Sequence, residues 1–303
     1  MVINTDKLPN VRGEYKFNEP LSKYTWLNVG GPAEIMFFPQ DEEDLKFFLQ
    51  KKSDDMPVFI LGGGSNLLVR DGGIDGVVIK LQSPEFSYIR CEEDKLYCGA
   101  GIKNFALQKV ISEKGLGGLE FLCSIPGSLG GAVRGNAGCF GTEMSDVLLW
   151  ARVMDINGNI TQMSCDDLKF GYRFSALTDK QIVLDVFLQA HITDANPVKE
   201  KIADNIQYRK LHQPQGIKTA GSTFKNPQGY RAWELIKNSG AAEITVGKVK
   251  MSPQHCNFLQ NNGNSAKDIE DLGQQIIKKV AEKTGVNLEW EVKIVGKEQN
   301  IGS

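Results

Sequence analysis

The sequence predicts an α+β fold with more than one domain, on three observations. The first is length: 303 residues exceed what a single hydrophobic core usually organises, so two or three domains are expected. The second is a set of short apolar, β-branched runs interrupted by glycine, mixed with a few amphipathic helical patterns. The third is a glycine-rich loop, Gly62-Gly63-Gly64-Ser65-Asn66, that lies between two strands and does not open a helix.

Taken in order, Asp41–Leu49 starts with acidic residues and carries apolar residues at helical spacing, which predicts a helix with a first turn that suits the helix dipole. Val58–Leu61 and Gly76–Leu81 read as strands on either side of the glycine loop, with a turn at Asp71-Gly72-Gly73. A strand follows at Lys95–Gly101, then a helix at Asn104–Lys114 closed by Gly115. Residues 120–141 are rich in small side chains, which suits close approach to a flat ligand or to another backbone. Strands resume at 149–163 and 182–192. A composition shift near 195–212 marks a domain boundary, with helices expected at 197–210 and 268–284 and a last strand at 288–295.

Composition narrows the function classes. Apolar content of 41%, charged content of 24% and a net charge of −2 describe an ordinary globular chain with no bulk field for nucleic acid or an acidic membrane. No apolar run reaches the ~20 residues that span a bilayer, and the N-terminal MVINTDKLPNVRGEY lacks the apolar centre of a signal peptide, so a cytoplasmic protein is expected. Six cysteines without a C-x-x-C pair, and three scattered histidines, predict free thiols and no metal site.

The glycine loop resembles a dinucleotide fingerprint but fails it. Gly62 and Gly64 supply the first two glycines, Leu67 stands where the third belongs, and no Gly-Lys-Ser/Thr follows for a P-loop. Anion binding here would rest on backbone amides alone, and a tight turn without a ligand is an equally good reading of the loop by itself.

Four further segments stand out. Leu27–Ala33 is a tight turn into a strand. Phe170-Gly171-Tyr172-Arg173 sets an aromatic and a permanent cation at a glycine turn. Ala220–Pro227 presents Ser222 on a small-residue corner, and Leu288–Val295 alternates, with Glu289, Glu291 and Lys293 opposite the apolar face. Each also has an ordinary role: Arg173 as a surface ion-pair residue, Ser222 as a helix cap near Thr223, Glu291 as a solvated strand charge. No Ser-His-Asp order is present.

Together, in order, the segments YTWLNVGGPAE, ILGGGSNLLVRDGGIDGVVI, IPGSLGGAVRGNAGCFG, FGYRFS, AGSTFKNP and LEWEVKIVG resemble the UDP-N-acetylenolpyruvoylglucosamine reductase family over nearly the whole chain. The resemblance implies a two-subdomain FAD-binding fold of the vanillyl-alcohol-oxidase type plus a C-terminal substrate domain, with segments 1–82, 83–196 and 197–303. It implies FAD as bound cofactor and NADPH as reductant. Cofactor contacts would come from Gly62, Gly63, Gly64, Ser65, Asn66, Leu67, Ile125, Pro126, Gly127, Ser128, Gly130, Gly131, Ala132 and Asn136. Gly130, Gly131 and Ala132 would make room for the cofactor. Arg173 would stabilise developing negative charge, Glu291 would help only when protonated or bridged, Ser222 would donate a proton, and Tyr172, Lys210 and Asn226 would contact a nucleotide-sugar substrate. The chain would be a monomer or weak oligomer, with no nucleic-acid or membrane partner. Ser124 and Trp290 depart from the family's usual Gly and Pro, and the chain is short where some members insert a tyrosine loop, so it is of the compact type. A related FAD oxidase acting on another substrate, and a non-catalytic ligand-binding module, are the competing readings.

Overall fold

The computed structural model describes residues 8–299. The N-terminal residues up to 7, which belong to the stretch read for a signal peptide, lie outside the described residues. The fold contains two compact units, each assembled from separated pieces of chain. The first takes the segment ending at Phe17, Glu34–Gly63 and Gly76–Arg209. The second takes Asn18–Ala33, Gly64–Asp75 and the chain from Lys210 onward. The three consecutive segments implied by the family resemblance are therefore not the packing units: strands that begin in one unit end in the other. The expected boundary at 196/197 falls inside one continuous helix, Ala195–His212.

In the first unit, a four-stranded sheet runs in the order Glu14–Pro20, Pro32–Phe38, Ile74–Ile79, Val58–Ile60. Its last two strands are parallel, with Val58 opposite Val77. The helix Glu42–Lys51 covers it, begun by Asp41, whose carboxylate accepts the Asp44 N–H at 2.9 Å. Leu45, Phe48 and Leu49 of that helix join Ile35, Phe37, Val77 and Ile79 in one buried cluster. A five-stranded antiparallel sheet follows, ordered Ile160–Ser164, Leu148–Asp155, Gln181–Gln189, Lys95–Gly99, Ile89–Glu92. Its inner face (Leu96, Cys98, Ala151, Val186, Leu188) packs against Leu107, Ile111, Leu129, Val133, Val198 and Ile202. The helix expected at 104–114 divides into a 3-10 turn, Asn104–Leu107, and an α-helix, Gln108–Lys114, ended by Gly115 at φ 62°.

The second unit has its own core. The helix Ala266–Thr284 buries Ile269, Leu272, Ile276 and Val280 against Leu235, Ile236, Val249, Leu259 and Val292, and Leu27, Val29 and Leu68 complete that core from far upstream. A three-stranded sheet runs Thr245–Val246, Val249–Met251, Leu259–Asn261. The terminal strand is shorter than the alternation predicted: only Lys293–Val295 is regular, paired in parallel with Leu67–Val69. The preceding residues pair one at a time, as at Phe224 and Trp290. Trp290 also packs on the long helix Ala266–Thr284. Its indole lies where a Cβ on Gly273 of the long helix would be, so the chain rides over that glycine.

Candidate active site

In the first unit, two glycine-rich loops meet back to back. A Cβ on Gly63 would come within 2.5 Å of the Gly127 Cα and 2.8 Å of the Ser128 nitrogen, so only glycine permits the approach. A side chain on Gly62 or Gly131 would meet only the Ser128 Oγ, at 3.0 and 3.4 Å, so both open over the same hollow. The amides of Gly62 and Gly63 donate to no protein acceptor among the described residues. The Gly62 carbonyl accepts from the Lys80 ammonium at 2.7 Å. Burial, with the Lys103 charge adding to it, pushes that ammonium down to about 8. Free amides, open glycines and an adjacent lysine fit a diphosphate group held mainly by backbone.

Not every small residue serves this hollow. Gly130 turns the other way: its amide donates to the Ala100 carbonyl at 2.8 Å, and a Cβ would strike the Ala100 Cβ at 2.9 Å. Ala132 and Ile125 belong to the apolar core and its margin. Of the three residues expected to make room for a cofactor, Gly131 alone faces open space. Gly127 adopts φ 108° and its carbonyl accepts from the Asn104 N–H at 3.1 Å; Pro126 precedes it.

Asn136 is buried at 0% exposure with φ 39°. Its Nδ2 donates to Glu143 Oε1 at 2.8 Å and to the Gly171 carbonyl at 3.1 Å, and its Oδ1 accepts the Ser145 N–H at 3.0 Å. That side chain is bonded to protein on every side, and it supports the turn at 171–174. In this turn Gly171 and Phe174 exchange both backbone hydrogen bonds, with Tyr172 and Arg173 at the tip. Arg173 sits at φ 55°, a left-handed conformation that costs a non-glycine residue energy and that clusters at functional positions. Its guanidinium lies 5.2 Å from the centroid of the exposed Tyr172 ring and donates to the Gly138 carbonyl at 3.3 Å. Neither residue's position was signalled by periodicity; the glycine turn was the signal.

In the second unit, the segments that carry Ser222 and Glu291 pair. The segment 222–225 is extended, not helical, and lies between two others. Ser222 bridges Phe258 on one side and Phe224 bridges Trp290 on the other. The Glu291 N–H donates to the Thr223 carbonyl at 2.9 Å. Both Ser222 and Glu291 are half-buried. Asn66, at the end of the glycine loop, donates from Nδ2 to the Glu291 carbonyl at 3.0 Å, and its own carbonyl accepts the Lys293 N–H at 3.2 Å. A residue expected at the cofactor and one expected at the chemistry are thus joined directly. Gly64 holds φ 65° against the Tyr24 carbonyl, and Leu67 opens the strand that pairs with Lys293–Val295. Ser65, between them, is half-buried.

The expected substrate contacts divide. Lys210 is exposed on the helix Ala195–His212. Asn226 is exposed, but its Oδ1 accepts the Ala232 N–H at 3.0 Å, which helps begin the helix Ala232–Asn238. Asn257 was missed altogether. It lies beside His255 and Cys256, a stretch weighed only as a possible zinc site, and no periodic signal marks it.

A family model described as an FAD binding domain matches residues 33–164. With the amide-lined hollow, it places the chain among FAD-dependent oxidoreductases of mixed α+β fold. A second model, described as the C-terminal domain of UDP-N-acetylenolpyruvoylglucosamine reductase, matches residues 213–295. The reductase of Paramagnetospirillum magneticum is 41% identical over 292 residues, 96% of this chain and 95% of its own length. That of Caulobacter vibrioides is 41% identical over 294 residues, covering 96% and 98%. The crystal structure of the Thermus caldophilus enzyme matches with a TM-score of 0.79 at 35% identity, over 93% of this chain and 98% of that one. The chain belongs to the UDP-N-acetylenolpyruvoylglucosamine reductase family. No helix among the described residues is long and apolar enough to cross a membrane.

Proposed function

We propose that this chain reduces the enolpyruvyl group of UDP-N-acetylglucosamine enolpyruvate to give UDP-N-acetylmuramate for peptidoglycan, using FAD and NADPH. The observation that carries the assignment is the hydrogen-bonded pairing of the Ser222 and Glu291 segments, tied through Asn66 to the glycine loop. FAD, when bound, would supply the hydride-transfer chemistry between NADPH and the enolpyruvyl group. Gly62, Gly63, Gly64, Ser65 and Asn66 would hold its diphosphate, with Gly127, Ser128 and Gly131 beside it.

As negative charge develops toward C2 and the carboxylate, Arg173 supplies a cation that stays protonated at any working pH and can grip a carboxylate in two places. Ser222 gives its hydroxyl proton to C2. Glu291, protonated or bridged, assists the same step, its backbone fixed by Thr223 and Asn66. Tyr172 and Lys210 contact the nucleotide sugar, Lys210 meeting a phosphate. Segments 1–82 and 83–196 serve the cofactor and 197–303 the substrate, a reading supported by the FAD-binding match over residues 33–164. The chain acts as a monomer or weak oligomer in the cytoplasm, where its nucleotide-sugar substrate and NADPH are found.

The test separates the half-reactions. The purified protein should be yellow, bleach with NADPH and recolour with the enolpyruvyl nucleotide sugar. In Ser222→Ala the bleaching should persist while recolouring slows by at least 100-fold, in the range typical of a lost proton donor. Equal loss of both steps refutes the proton-donor role, and recolouring by air alone favours an oxidase.

A further inference from the structure

The segment that carries Ser222 is held by an unusual partner. Asn257 is 4% exposed. Its main-chain carbonyl accepts the Thr223 N–H at 2.7 Å. Its side chain then takes both backbone groups of the next residue: Oδ1 accepts the Phe224 N–H at 3.0 Å, and Nδ2 donates to the Phe224 carbonyl at 2.8 Å. One carboxamide stands in for a whole strand residue. On the opposite flank Glu291 and Trp290 take the same segment, and the Phe224 ring is sealed beneath at 0% exposure, 5.2 Å from the Trp290 ring. Thr223 and Phe224 are therefore clamped from both sides, and the groups next to the clamp are Ser222 and Glu291.

We propose that Asn257 is a positioning residue for the proton-transfer step, fixing Ser222 relative to Glu291 by clamping Thr223–Phe224. This rests on the reading of Ser222 as proton donor. The requirement is for a donor and an acceptor side by side at one buried place. Leucine has the shape but leaves both Phe224 groups unpaired. Aspartate accepts the Phe224 N–H but turns a second lone pair toward the Phe224 carbonyl; once protonated, its O–H donates to that carbonyl and the carboxamide pattern is restored. The titratable groups around it are His255, whose Nδ1 accepts the Asn257 N–H at 3.3 Å, and, on the flanking segments, Glu289 paired with Lys225, and Glu291.

The experiment follows the two half-reactions of the FAD-loaded enzyme by single turnover from pH 5 to 9, in Asn257→Asp, Asn257→Leu and Asn257→Ser. NADPH bleaching should match the wild type throughout. Recolouring by substrate should be slowed at least 10-fold at neutral pH in Asn257→Asp and recover as the pH falls, along a titration the wild type lacks. It should stay slow at every pH in Asn257→Leu and Asn257→Ser. Wild-type recolouring in Asn257→Asp at all pH values, slow recolouring with no acid recovery, or equal loss of bleaching overturns the proposal. Should Asn257→Asp or Asn257→Leu not fold, Asn257→Ser, which admits water to Phe224, decides by the same split. Ser222→Ala in parallel keeps the two readings apart: normal recolouring there sinks the proton-donor role, whereas collapse there beside a normal Asn257→Asp sinks only the role of Asn257.

Discussion

Gly63 has room for a hydrogen and nothing larger, because the backbone of Gly127 and Ser128 lies against it. Gly63→Ala must push the two loops apart and open the amide hollow. Purified Gly63→Ala should keep its secondary structure by circular dichroism but lose bound flavin, with FAD affinity reduced at least 100-fold by fluorescence titration. Lys80 adds a pH dependence at the same loop. Its ammonium loses its proton from about 8 upward, and with it the charge beside Gly62. FAD affinity should therefore weaken above pH 8, and that dependence should vanish in Lys80→Met. Stability without FAD moves the opposite way. The folded-state value lies below the ordinary 10.5, so between the two the unfolded chain holds a proton the folded chain has released, and raising the pH favours folding. Residue types alone announced the Gly62–Gly64 loop, but not which small residues face outward. Gly130 and Gly131 are adjacent and both unbranched, yet one packs on Ala100 and the other faces the hollow, because successive positions on a short helix point in different directions. The same limit hid the internal duties of Asn136 and Asn226: an amide's partners lie in three dimensions and leave no trace in spacing.

Among the elements, the helix Ala266–Thr284 was the most legible, since its apolar positions repeat every turn and Gly285 closes it at φ 73°. Its start was only half legible. Ser265 caps it, its hydroxyl accepting the Asp268 N–H at 3.1 Å, and a second cap, a carboxylate, comes from distant Asp71. The Asp71 oxygens accept from the Ala266 N–H at 2.9 Å and the Lys267 N–H at 3.2 Å. These are amides that the helix itself leaves unpaired. Asp71→Ala should cost about 1–2 kcal/mol, the usual range for a lost N-terminal cap. Urea denaturation checks it, and loss of less than a few tenths would show that Ser265 suffices. The terminal strand was overread for the opposite reason: its alternation of Leu288, Trp290, Val292 and Ile294 is real as a burial pattern. Regular pairing is confined to Lys293–Val295, and upstream the chain meets the 222–225 segment through the single bridge of Trp290 with Phe224.

For the whole molecule, the consequential fact is that the second unit draws Leu27, Val29 and Leu68 into a core otherwise built from residues beyond 210. Composition could place a boundary near 195–212, but no local signal could show that 18–33 and 64–75 cross it. A fragment of residues 210–303 should thus fail to fold alone. Its amide resonances should show the narrow dispersion of an unfolded chain, and a well-dispersed spectrum would show that the upstream segments are dispensable. The pairing of Leu67–Val69 with Lys293–Val295 also sets a schedule. Asn66 is made 225 residues before Glu291, the partner that holds its side chain. At ribosomal speeds of ~5–20 residues per second, the loop and its strand edge wait roughly 10–45 s for that partner. During synthesis this is an interval in which an unpaired strand is open to chaperones and to aggregation, and it closes only when residues 291–295 emerge.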